Sequence, residues 1–111
     1  MEKVSRRIVQ VLAEVAERGL RDPATQGVTF TSARVTPDLR HARVFFSVLE
    51  GDPTECAAGL ARASSYLRRE VSRELALKYS PDLHFEHDDT LDRADRIERL
   101  LRAATGDKDG S

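Results

Sequence analysis

Apolar residues recur along the chain with a period that changes from helical to strand-like and back, and the changes mark the elements. Val4, Ile8, Val11, Leu12 and Val15 repeat at three- and four-residue steps, while Lys3, Arg6, Arg7, Gln10, Glu14 and Arg18 occupy the rest of the wheel. This predicts a first amphipathic helix, with Gly19 just past its end and Asp22-Pro23 preventing an immediate restart. Asp22 to Gly27 is then a loop.

Val28 to Thr36 is β-branched and aromatic, yet Val28 and Phe30 share one parity whereas Ala33 and Val35 share the other. The slip predicts a bulge or an edge strand. Thr36-Pro37-Asp38 supplies turn chemistry, after which Ala42, Val44, Phe46 and Val48 alternate cleanly, with Phe45 and Leu49 on the reverse side. A run with so little polarity belongs in the middle of a sheet.

Glu50-Gly51-Asp52-Pro53 ends that strand, and Asp52 or Thr54 can cap the next helix. Thr54 to His87 organises the rest: a long helical stretch in two parts that runs into a short strand. Leu60, Ala63, Leu67, Val71 and Leu75 lie on one side of it, and Arg62, Arg69 and Arg73 on the opposite side. The helical pattern stops at Tyr79-Ser80-Pro81, after which Leu83, Phe85 and His87 alternate with His84, Glu86 and Asp88.

A strand, a helical crossover and another strand make a right-handed unit with parallel strands. Together with the antiparallel hairpin before it, this predicts an α+β fold in the order helix, strand, strand, helix, helix, strand. Its three-stranded mixed sheet is covered by helices on one face. Beyond it, Thr90 can cap a last amphipathic segment carrying Leu91, Ala94, Ile97 and Leu101. Residues 1–104 are read as one domain, and 105–111, rich in Gly, Asp, Lys and Ser, as a disordered tail.

Charge refines this picture. The net charge is only −1, yet residues 1–80 carry 13 basic and 10 acidic groups and residues 81–101 carry 3 and 7. The negative excess is thus confined to a late segment, leaving the earlier part to present a positive surface. The single cysteine, Cys56, forms no internal disulfide and belongs to no metal quartet. With no basic-then-apolar leader and no apolar run of membrane-spanning length, a soluble cytoplasmic protein is expected.

The element order is that of the bacterial type of KH domain, and local strings go further. The chain resembles the ribosome-binding factor A family, small bacterial proteins that act in maturing the small ribosomal subunit. The residues that carry the likeness are the first helix followed by Arg21-Asp22-Pro23, the hairpin from Val35 to Val48, the segment Ala63-Ser64-Ser65-Tyr66-Leu67-Arg68-Arg69-Glu70-Val71, then Pro81-Asp82-Leu83-His84-Phe85 and Arg96-Ile97. The resemblance implies a KH type II-like fold in which an interrupted helix built on Ala-x-Gly replaces the Gly-x-x-Gly loop. The matching residues are Ala63, Ser64 and Ser65, with serine where the family has glycine, so the shape of the kink is an open point.

The leading functional candidates are Arg62, Arg69 and Arg73, with Arg68 and Lys78 near them and Ser64 and Ser65 at the break. Amides exposed at a break, together with guanidinium groups, suit phosphate oxygens. Composition alone favours a solvated face pairing with Glu70 and Glu74, and the resemblance reverses that preference. Arg6, Arg7, Arg40 and Arg43, with Lys3 and His41, are secondary candidates. Phe45 lies beside Arg43 on the reverse face, where it either stacks on a base or, as favoured, is covered by the terminal segment.

His84 and His87 fall on opposite faces of their strand, which argues against a shared metal ion, and no cofactor is expected. No nucleophile, Walker loop or dinucleotide turn is present, so an enzyme is not expected. The resemblance implies a non-catalytic, monomeric assembly factor that binds the small ribosomal subunit or its late precursor and assists ribosomal RNA maturation, with no membrane and no small-molecule substrate. The rivals are a general single-strand RNA-binding module and a protein-interaction or dimerisation domain using the reverse face of the central strand.

Overall fold

The structure, a computed structural model, describes the backbone of residues 2–110. Helix α1 (Glu2–Arg18) leads through a 3-10 turn (Pro23–Thr25) into strands β1 (Val28–Val35) and β2 (His41–Val48). Helices α2 (Pro53–Arg62) and α3 (Ser64–Leu75) come next, then strand β3 (Asp82–His87) and helix α4 (Thr90–Gly110). The sheet order is β1-β2-β3, with β1 and β2 antiparallel and β2 and β3 parallel, so the fold is the α+β arrangement expected.

One face of the sheet carries the core. Phe30, Ala42, Val44, Phe46 and Leu83 are buried there against Ile8, Val11, Leu12 and Val15 of α1, Cys56 and Leu60 of α2, and Leu67 and Val71 of α3. The parity slip in β1 is a β-bulge between Phe30 and Ser32, which returns Ala33 and Val35 to the helix side. The extra residue, Thr31, donates its hydroxyl to the Asp88 carboxylate (2.8 Å), with the Phe45 carbonyl 3.2 Å away as the alternative acceptor, so the bulge is tied to the far edge of the sheet.

Helix boundaries reflect local chemistry. Gly19, at φ 99°, closes α1 in a left-handed conformation that costs glycine little. Asp52 rather than Thr54 caps α2, accepting the Thr54 amide at 2.8 Å, with Pro53 in the first turn. Helix α3 stops at Leu75, short of the Tyr79-Pro81 stop that the sequence predicts. Ala76 turns left-handed, and the Leu77 amide reaches back to the Ser72 carbonyl (3.0 Å), closing the helix before proline is met.

The last helix departs most from expectation. Its backbone continues through Thr105 to Gly110, where a disordered tail is expected; once a helix is nucleated, each added residue gains a backbone hydrogen bond. It shares no extensive interface with the sheet or with α1, α2 and α3, and Ile97, Leu100 and Leu101 are more than half exposed. The Cα radius of gyration is accordingly 17.2 Å, against roughly 13 Å for a compact chain of this length. On the reverse face Arg43 lies over the ring of the half-buried Phe45, 5.3 Å from the centroid. Among the described residues, no helix is long and apolar enough to cross a membrane.

Candidate nucleic-acid interface

The two-part helix breaks at one residue, Ala63, with φ −90° and ψ 4°. Its amide is shared between the carbonyls of Gly59 and Leu60, each at 3.1 Å, which tightens the end of α2 from α- to 3-10-type bonding. Its own carbonyl accepts the Leu67 amide (3.0 Å), so Ala63 ends one helix and starts the next. No side chain caps α3. Ser64 and Ser65 lie inside its first turn, and neither takes a positive φ. The bend therefore does not need glycine at position 65.

The arginines near the break have different duties. Arg62 is fixed on Asp22 through Nε (2.8 Å) and Nη2 (2.7 Å). Asp22 also caps the 3-10 turn by accepting the Ala24 amide, and this bond first, then Arg62, holds its carboxyl below the usual range. Arg73 and Arg18 take opposite oxygens of Glu70, a carboxylate that would be costly to bury alone. Arg68 turns inward onto the carbonyls of Pro81 (3.1 Å) and Ser80 (3.4 Å) and onto Asp82 (3.1 Å), strapping the loop before β3. Arg69 is exposed and, among the described residues, meets no acceptor.

The secondary candidates are scattered. Arg40 and Lys78 both approach the Tyr79 ring, at 5.6 and 5.5 Å, beyond the far end of α3 from the break. The helix between them is 12 residues long, which separates the two groups by roughly 18 Å. His41 stacks on His84 near the same end, with Nδ1 and Nε2 3.3 Å apart. Arg7 faces Glu74, and Arg6 borders a groove beside the edge strand β1. Arg43 is held by both oxygens of Glu86 (2.8 and 3.1 Å), which raises its pKa and leaves it on the reverse face, away from the break.

At the break, Arg62 is joined by residues that sequence reasoning did not offer as binding candidates. A cleft of about 680 Å³ opens between the end of α1 and Ala63, walled by Arg18, Arg21, Asp22, Arg62 and Tyr66. Gly59 lies at its base: a Cβ there would stand 2.9 Å from the Thr25 methyl, so only glycine lets the 3-10 turn sit on α2. The available signal was Tyr66 itself, a large aromatic one position off the buried Leu67 and left 41% exposed.

Comparison with known proteins bears on this arrangement. The family described as ribosome-binding factor A matches residues 1–101. Among curated relatives, a ribosome-binding factor A of Geobacter sulfurreducens is 35% identical over 109 residues, covering 96% of this chain and 92% of its own. One of Acidothermus cellulolyticus is 46% identical, over 96% and 73%. Among solved structures, a Thermotoga maritima protein described as a putative ribosome binding factor A superposes with a TM-score of 0.69 at 30% identity, covering 79% of this chain and 86% of that one. A homology model of the Thermus thermophilus ribosome binding factor A, as fitted into the cryo-EM map of a 30S complex, gives 0.66 at 21% identity, over 80% and 96%.

Proposed function

The chain belongs to the ribosome-binding factor A family, and from that premise we propose that it binds the small ribosomal subunit or its late precursor and assists maturation and processing of the ribosomal RNA. In this reading residues 1–104 act as a single KH-like domain, monomeric and cytoplasmic, without catalysis, cofactor or small-molecule substrate. The observation that carries it is the break at Ala63, with Arg62 beside it, Arg69 and Arg73 further along the exposed side of α3, and Ser64 and Ser65 in the first turn beyond it. Guanidinium groups and first-turn amides contact phosphate oxygens without reading sequence. Preferring one conformer of folded RNA over another is sufficient to rearrange it, with no chemical step. The 30S complex of the Thermus thermophilus relative supports the choice of partner.

Arg69 bears the largest share of the phosphate contact, because no internal pair has to open first. Arg62 contributes through the donors Asp22 leaves free, and Arg68 only by holding the loop. Lys78 and Arg40 add a second, outlying contact; Arg6, Arg7 and Arg43 are peripheral. Co-sedimentation with isolated small subunits, large subunits and naked RNA tests the reading. Retention by small subunits alone, weakening by about two decades for a fourfold rise in salt if four phosphates are contacted, is the expected result. Equal retention by all three would return the protein to the general RNA-binding class, and no retention would refute the proposal.

A further inference from the structure

We propose that the cleft between the end of α1 and the helix break seats one unpaired nucleotide of the bound RNA, with its base on the ring of Tyr66 and its phosphate on Arg21 and Arg62. The inference deepens the docking reading and rests on it.

Size, charge and surface all fit that occupant. The cleft, at about 680 Å³, lies within the roughly 300–1,000 Å³ usual for small-ligand sites. Three guanidinium groups, Arg18, Arg21 and Arg62, and one carboxylate, Asp22, line it; Arg18 is engaged by Glu70 and Arg62 by Asp22, so the uncompensated positive charge is that of Arg21. Arg21 is exposed and, among the described residues, has no partner, so an incoming phosphate breaks no ion pair there. Arg62 spends Nε and Nη2 on Asp22, and the N–H groups of Nη1 remain for a ligand.

The aromatic wall decides between a phosphate alone and a whole nucleotide. Two tyrosines are exposed, and they differ. The ring of Tyr79 is already approached by Arg40 and Lys78, whereas Tyr66, 41% exposed as a residue, borders the cleft and its ring meets no cation among the described residues. A base held in a duplex offers its edge, not its face, so only an unstacked residue can lie on Tyr66. Stacking on a ring accepts any base, so the site selects for unpaired structure and not for sequence.

The test uses the full chain on isolated small subunits. Tyr66→Ala should reduce retention about tenfold, the size of one lost base–aromatic stack, while Tyr66→Phe retains wild-type binding. Arg21→Ala should lower the salt slope by about one unit. Ultraviolet cross-linking followed by nuclease and trypsin should place a nucleotide adduct on the peptide 63–68, which separates Tyr66 from Tyr79. Thermal unfolding verifies each variant, and Tyr66→Leu, which keeps bulk and removes the ring, substitutes for Tyr66→Ala if the latter does not fold.

Wild-type retention of the ring-deleted variant, or adducts confined to other peptides, overturns the cleft assignment and leaves subunit docking intact. Saturable uptake of a free nucleoside monophosphate with unchanged subunit retention overturns it too, in favour of a soluble nucleotide. If wild type itself fails to pellet with small subunits, the docking reading falls, and the cleft assignment falls with it.

Discussion

Replacing Gly59 with alanine sets two effects of similar size against each other, and the structure decides between them. In a helix interior, alanine is favoured over glycine by about 1 kcal/mol. The new Cβ, however, would lie 2.9 Å from Cγ2 of Thr25 and 3.3 Å from the Asp22 carboxyl. Neither neighbour can move freely. Thr25 is 2% exposed and its hydroxyl is fixed to the Asp22 carbonyl at 2.7 Å, so its χ1 angle, and with it the methyl, is set; Asp22 is held by Ala24 and Arg62. Overpacking against fixed atoms costs about 1–3 kcal/mol, so the clash outweighs the helical gain by roughly 1 kcal/mol. Gly59→Ala should therefore lower the thermal midpoint by about 4 °C. The companion variant Thr25→Ser keeps the hydroxyl and removes the methyl, losing about 0.8 kcal/mol alone. Combined with Gly59→Ala it should be at least as stable as Thr25→Ser alone, because the new Cβ occupies the vacated space. Urea denaturation of the four proteins measures the coupling. A Gly59→Ala protein as stable as wild type, or a double variant whose losses merely add, would refute the steric account.

Three further outcomes are expected. Arg69→Ala should leave the unfolding midpoint unchanged and lower the salt slope of subunit binding by about one unit, whereas Arg62→Ala should also lower the midpoint, because it releases Asp22; circular dichroism and sedimentation read the two effects. The carboxyls of Asp22, Asp38, Glu86 and Asp88 all lie below their ordinary values, each held first by a hydrogen bond to Ala24, Thr36, Arg43 and Thr90 respectively. Their stabilisation is complete above the unfolded-state values, near pH 4, and is lost as pH falls through the lower folded values; urea midpoints should decline below about pH 4, and a flat acid limb would contradict these bonds. Ser65→Gly should destabilise the protein by up to about 1 kcal/mol without strengthening subunit binding, since position 65 is helical; a gain in both would show that the bend wants glycine after all.

Much of the fold was legible because it derives from periodicity. The α1 stripe reads as an inward face since Ile8, Val11, Leu12 and Val15 are all buried, and the parity slip in β1 pointed to a bulge or an edge strand, and β1 is both. The site was less legible, for a physical reason: the fate of a charged side chain depends on partners distant in the chain. Arg62 meets Asp22 across 40 residues, and Arg68 finds carbonyls on a loop whose path the pattern does not specify. An arginine stripe at helical spacing thus splits into Arg69, which is free among the described residues, and neighbours that brace the fold. The early end of α3 was hidden because alanine at position 76 carries no left-handed signature. The projecting α4 was hidden because an amphipathic pattern does not say whether a partner surface is within reach.

The bracing explains how the bend persists with serine at position 65. At φ −90° and ψ 4°, Ala63 occupies a bridge region open to residues with a side chain, so no left-handed step is required. What such a bend lacks is a local lock, since a continuous helix through Ala63 would replace one shared hydrogen bond with regular ones. The lock comes from outside the helix. The Asp22-Pro23 turn seats against Gly59, Asp22 grips Arg62 at the last residue of α2, and Glu70, held between Arg18 and Arg73, anchors α3 to the end of α1. Both halves are tied to the same short segment, residues 18–22, on either side of Ala63. That segment also forms the opposite wall of the cleft, so the contacts that fix the angle of the bend fix the width of the cleft as well.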